Sequence, residues 1–66
     1  MKNRIKVERA IKNITQASLA ELVGVSRQTI NTIESGRYVP STILALKISK
    51  IFGVPVEEVF SLEETD

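Results

Sequence analysis

The residues best equipped for chemistry lie between Arg27 and Ser35, in the run RQTINTIES. Wound as a helix at about 100° per residue, this run puts Ile30 and Ile33 on one side and Arg27, Gln28, Asn31, Thr32 and Ser35 on the other. The outward side carries one guanidinium, two carboxamides and two hydroxyls, and no acid. Such groups match the edges of base pairs in a major groove: arginine forks onto guanine, a carboxamide onto adenine, and a threonine methyl meets the thymine methyl. A merely solvated helix face more often mixes glutamate and lysine in i, i+4 pairs. Little else in the chain competes with this reading. Histidine and cysteine are both absent, which removes the commonest general base, the Ser–His and Cys–His nucleophile pairs, and imidazole or thiolate metal ligation. There is no glycine-rich phosphate loop, and the adjacent Glu57 and Glu58 point in different directions on a helix. No catalytic site, metal, cofactor or small-molecule ligand is expected.

The elements that must hold this face are helical almost throughout. Val7, Ala10, Ile11 and Ile14 recur at i, i+3, i+4 and i+7, which predicts a first helix over about residues 4–12 with that face buried and a stop at Asn13. Thr15 is placed to cap a second helix from Gln16 to Val23 that buries Leu19, Leu22 and Val23, and Gly24 ends it. Ser26 caps a third helix that runs to about Ser35, with Gly36 as its stop. Pro40-Ser41 opens a fourth helix that buries Leu44, Ile48, Ile51 and Phe52 and closes at Gly53. Pro55 suits the first position of a short fifth helix with Val56, Val59 and Phe60 on its apolar face. Strand signals are weak, so the expected fold is a compact, all-α, five-helix single domain over residues 1–66. Within it, residues 16–35 form two short helices joined by a tight turn at Gly24, Val25 and Ser26. Ala20 is small where the helices must approach, and Leu19, Val23, Val25, Ile30 and Ile33 supply an inner face. That is the helix-turn-helix pattern.

Size and charge narrow the partners. A chain of 66 residues buries only about 60% of the surface its unfolded form exposes. With no cysteine for disulfides, self-association is the remaining way to add stability. All nine lysines and arginines fall between Lys2 and Lys50, alongside only Glu8, Glu21 and Glu34, for a net +6. The last sixteen residues carry Glu57, Glu58, Glu63, Glu64 and Asp66 and no base, for a net −5. One part suits a polyanion, and the other would repel it. No apolar run approaches the ~20 residues of a membrane span, and no apolar stretch follows Lys2, Arg4 and Lys6 as a signal peptide would require. A cytoplasmic, nucleoid-associated protein is expected.

The segments ITQASLAELVGVSRQTINTIESGRYVPS and LALKISKIFGVPVEEVF resemble the lambda-repressor-like, Cro/CI-type helix-turn-helix family, also called the XRE family, and especially its short stand-alone bacterial and archaeal members. The resemblance runs without gaps from about Arg4 to Phe60. It implies base reading by Arg27, Gln28, Asn31 and Thr32, with phosphate contact as the other reading for Arg27 and a backbone-facing orientation for Asn31. It implies phosphate contacts by Thr15, Gln16, Ser26, Ser35, Arg37 and Tyr38. For Gln16 the bland reading is an ordinary polar first-turn residue, for Ser26 a helix cap, and for Tyr38 a ring packed on its loop. Arg9 and Glu34 match a partly buried ion pair joining the first and third helices.

The resemblance also implies dimerisation through helix five and the tail, residues 55–66, with Val56, Val59, Phe60 and Leu62 as the interface. The alternative is that these residues close the core of the monomer. The function implied is that of a sequence-specific regulator of transcription on double-stranded DNA, a repressor acting as a homodimer on a pseudo-palindromic operator. Activation by contact with polymerase stays open. The alternative from another class is a DNA-binding antitoxin that neutralises a toxin.

Overall fold

Short-range chemistry sets where the helices begin and end. Thr15, Ser26 and Ser41 each occupy an N-cap, and each hydroxyl accepts the backbone N–H three residues on: Ser18 at 3.0 Å, Thr29 at 3.1 Å and Leu44 at 3.2 Å. Each satisfies an amide that has no partner within its helix. At the other ends, Asn13 and Gly24 turn left-handed with φ of 57° and 78°. That geometry lets the Val25 N–H return to the Ala20 carbonyl at 3.0 Å, closing the turn between two helices.

The computed structural model describes all residues from Met1 to Asp66. Its helices are α1 (Ile5–Lys12), α2 (Gln16–Val23), α3 (Arg27–Glu34), α4 (Thr42–Phe52) and α5 (Val56–Val59). α2 and α3 pack on each other, and both α1 and α2 pack on α4. A core of twelve apolar residues lies between them, with Ile5, Leu19, Ile30 and Ile48 fully buried at its centre. No helix is long and apolar enough to cross a membrane.

The ends of the chain form a strand pair that the weak strand signals did not predict. β1 (Lys2–Asn3) runs antiparallel to β2 (Phe60–Ser61), with Lys2 opposite Ser61 and Asn3 opposite Phe60. The Arg4 N–H continues the pairing to the Val59 carbonyl at 2.8 Å. The Met1 ammonium meets the Asp66 carboxylate at 3.2 Å. A hydrogen bond with the Glu63 backbone, and then the ammonium, hold the Asp66 carboxyl below its ordinary value. Pairing between residues 57 and 59 positions apart leaves no mark in local propensity, because each strand is only two residues long.

Three further expectations are corrected. In α1 the face Val7–Ala10–Ile11 is exposed, Val7 at 47% and Ile11 at 67%. The helix instead turns Ile5, Glu8 and Arg9 inward, a set with the same i, i+3, i+4 spacing. The ion pair of Arg9 with Glu34 on α3 selects that face over the more apolar one. In α2 the buried set is Leu19, Ala20 and Val23, while Leu22 is exposed. In the C-terminal segment, Pro55 is the N-cap rather than the first helical residue, and α5 is a single turn because Phe60 leaves it in extended conformation.

The orientation of α1 has a direct test. Ile5→Ala should cost about 2–5 kcal/mol, as a fully buried aliphatic does. Ile11→Ala should stay within about 0.5 kcal/mol, as exposed substitutions do. Urea denaturation of the two variants measures both, and equal losses would place Ile11 in the core after all.

Candidate nucleic-acid interface

The inner side of α3 is fixed by Ile30 and Ile33, exposed by no more than 1%. The other side therefore faces solvent. Arg27, Gln28, Asn31 and Ser35 are all exposed and Thr32 half-buried. Arg27, Gln28 and Asn31 together line a small polar depression. Thr32 donates its hydroxyl proton to the Gln28 carbonyl at 2.7 Å, and Ser35 donates to the Thr32 carbonyl at 2.8 Å. Both hydroxyl protons are thus engaged within the helix. Toward a partner, Thr32 offers a lone pair and a methyl.

A second, wider depression lies where the end of α1 meets the starts of α2 and α3. Arg9, Asn13, Thr15, Gln16 and Arg27 contribute its polar lining. The exposed Arg27 guanidinium beside the capped amino end of α2 suits an anionic oxygen, while the Arg9 guanidinium is already paired with Glu34. Ser26 and Thr15 sit at helix starts, where their hydroxyls already serve as caps. Tyr38 is half exposed and lies with Gln28, Thr29 and Thr32 along one edge of the recognition face. Arg37 is exposed in the same loop.

Beneath this surface is a three-residue link between α1, α2 and α3. Arg9 Nε lies 2.8 Å from Glu34 Oε1, with the two side chains 17% and 9% exposed. Arg9 also donates to the Ile14 carbonyl at 3.1 Å. Gln16 donates its Nε2 to the other oxygen, Glu34 Oε2. Glu34 is the single acid of α3, and it is turned to these partners rather than to the outward face. The carboxylate can only accept, so Gln16 must direct its NH2 group at it. Gln16 is therefore held within the protein as well as lining the depression.

The sequence-derived dimer residues do not share one environment. Val59 and Phe60 are 1% and 7% exposed and belong to the core of the single chain. Val56 is half-buried and Leu62 is 77% exposed. Those two, with Phe60, line an open apolar groove together with Met1, Val39 and Leu46, apart from the outward face of α3. One contributor escaped the sequence reading. Asn3 donates its Nδ2 to the Ile33 carbonyl at 2.9 Å and accepts the Ile5 N–H on Oδ1 at 3.2 Å. An asparagine two residues ahead of a helix is a local turn signal, but its hold on α3 is not.

A helix-turn-helix family model matches residues 5–59. The chain belongs to this family. Membership makes it a DNA-binding regulator of transcription rather than an enzyme. The chain is 53% identical to an uncharacterized HTH-type transcriptional regulator of Methanocaldococcus jannaschii over 66 residues, covering 100% of both chains. It is 55% identical to the uncharacterized HTH-type regulator YgzD of Bacillus subtilis over 64 residues, 97% of each chain. It is also 45% identical to the HTH-type transcriptional activator BcrR of Enterococcus faecalis, over 80% of this chain and 26% of BcrR.

The link under the recognition helix makes a stability prediction. Removing one partner, as in Arg9→Met or Glu34→Leu, should cost about 3 kcal/mol by leaving a charge poorly compensated. The Arg9→Met/Glu34→Leu double variant should regain most of that loss. A double-mutant cycle by urea denaturation measures the coupling, and simple additivity would show that the pair contributes nothing as a pair.

Proposed function

We propose that this helix-turn-helix protein is a sequence-specific repressor that binds a pseudo-palindromic operator as a homodimer. The observation that carries the reading is the acid-free face of α3. It stands clear of the core beside a cationic depression at the starts of α2 and α3. Arg27, Gln28, Asn31 and Thr32 are assigned to base edges, where a bidentate arginine or carboxamide discriminates by about 1–3 kcal/mol. Thr15, Gln16, Ser26, Ser35, Arg37 and Tyr38 are assigned to the sugar-phosphate backbone, which positions the helix without reading sequence. Gln16 has a hydrogen left on its amide after the bond to Glu34, and that hydrogen is the one available to a phosphate.

The second copy is assigned to the groove bordered by Val39, Leu46, Val56 and Leu62. Three of these are more than half exposed in the single chain. A twelve-residue core gains stability by covering such a surface. Two recognition helices on one side of DNA then enter successive major grooves, about 34 Å apart. A dimer seated on a promoter in this way blocks polymerase. The acidic C-terminal tail, bordering the same groove through Leu62, lies toward the dimer axis in this arrangement.

Selection from random duplex DNA at a fixed salt concentration should enrich a two-fold symmetric site with half-site centres about 10–10.5 base pairs apart. Failure of a folded protein to enrich any motif overturns the reading. Gln28→Ala should weaken binding by about 1–3 kcal/mol and relax preference at one or two base pairs; a uniform loss on all sequences would reassign Gln28 to the backbone. Leu46→Glu with Leu62→Glu should sediment as a folded monomer, and an unchanged dimer would move the interface. Transcription with purified polymerase from the selected site should fall on adding protein, whereas a rise would make it an activator.

A further inference from the structure

We propose that Asn3 is a positioning residue for DNA recognition, fixing the angle at which the recognition helix stands relative to the C-terminal segment. The proposal rests on the sequence-specific reading above. Asn3 touches three elements at once. Its backbone pairs with Phe60 in the strand pair. Its Oδ1 accepts the first amide of α1 at 3.2 Å. Its Nδ2 donates to the last-turn carbonyls of α3, Ile33 at 2.9 Å and Glu34 at 3.5 Å. A carboxamide donates from its nitrogen and accepts on its oxygen, so one short side chain reaches two elements through two separate atoms.

The other holds on α3 are its inner face, its pairing with α1, and the Val25 turn that ties its amino end to α2. Ile30 and Ile33 pack inward, and Glu34 pairs with Arg9. Asn3 holds the carboxyl end of the helix, where carbonyls lack helical partners. Arg27 lies at the opposite end of the same eight-residue helix, about 12 Å away along the axis. A tilt of about 10° carries that end roughly 2 Å, enough to spoil hydrogen-bond geometry. The base-reading end is thus aimed from a residue that lies outside the matched helix-turn-helix region of 5–59.

The test compares affinity for the selected operator with affinity for a scrambled duplex of equal length, at one salt concentration, for the wild type, Asn3→Asp and Asn3→Ser. Asn3→Asp keeps the acceptor and the size but presents oxygen to the α3 carbonyls. Asn3→Ser adds no charge and is the milder change. Circular dichroism and sedimentation select conditions under which each variant is folded and in the wild-type association state. The expected result is a loss of about tenfold or more on the operator, with far less change on the scrambled duplex, so that the specificity ratio collapses. A purely structural role would reduce the folded fraction, and the added charge of aspartate would weaken both duplexes alike. Neither changes the ratio. A ratio kept intact in folded Asn3→Ser overturns the proposal. A wild-type ratio near one overturns both the proposal and the sequence-specific reading beneath it.

Discussion

Burial of Ile30 and Ile33 is the constraint from which the working surface follows. A recognition helix must be held firmly and still leave half its circumference unpaired. Two fully inserted aliphatic side chains one turn apart meet the first demand, because their spacing admits a single rotation of the helix. The second demand is met by keeping every acid off the free side. Glu34 could have spoiled that surface, and its carboxylate is instead turned to Arg9 and Gln16. The charge that would repel a phosphate becomes the bolt that ties α1 and α2 to α3.

That bolt also explains the rotation of α1. Its more apolar face, Val7 with Ile11, faces water, while a helix side containing Glu8 and Arg9 faces inward. Burying one more aliphatic pair would stabilise the chain by a few kcal/mol at most. Leaving Glu34 without its guanidinium would cost as much and would also release α3. In so small a domain, anchoring the recognition helix governs how the first helix lies.

Much of the architecture was legible because its causes are local. A hydroxyl at Thr15, Ser26 or Ser41 acts three residues away, and Asn13 or Gly24 acts on its own φ. The outward set of α3 followed from helical periodicity once Ile30 and Ile33 were taken as the inner face. The ion pair of Arg9 and Glu34 became legible through the family pattern. What escaped notice lies between residues distant in the chain. Periodicity finds an apolar stripe but cannot choose between two stripes of identical spacing, as in α1. Nor can it say whether Val59 and Phe60 meet their own chain or another. The pairing of Lys2–Asn3 with Phe60–Ser61 is what places Phe60 against its own chain. Asn3 escaped for the same reason, its partners being about thirty residues away.

The meeting of the two termini bears on how such a module can be shared among proteins. With the Met1 ammonium 3.2 Å from the Asp66 carboxylate, entry and exit points coincide. A domain whose ends touch can be spliced into a surface loop of a host protein without stretching either. Any residue joined ahead of Met1, whether by a splice or by a tag, removes that ammonium. An N-terminal affinity tag would replace the ammonium with a peptide bond beside Lys2–Asn3, two residues from the amide that grips α3. Whatever is joined at that end adjoins the residue whose amide holds α3.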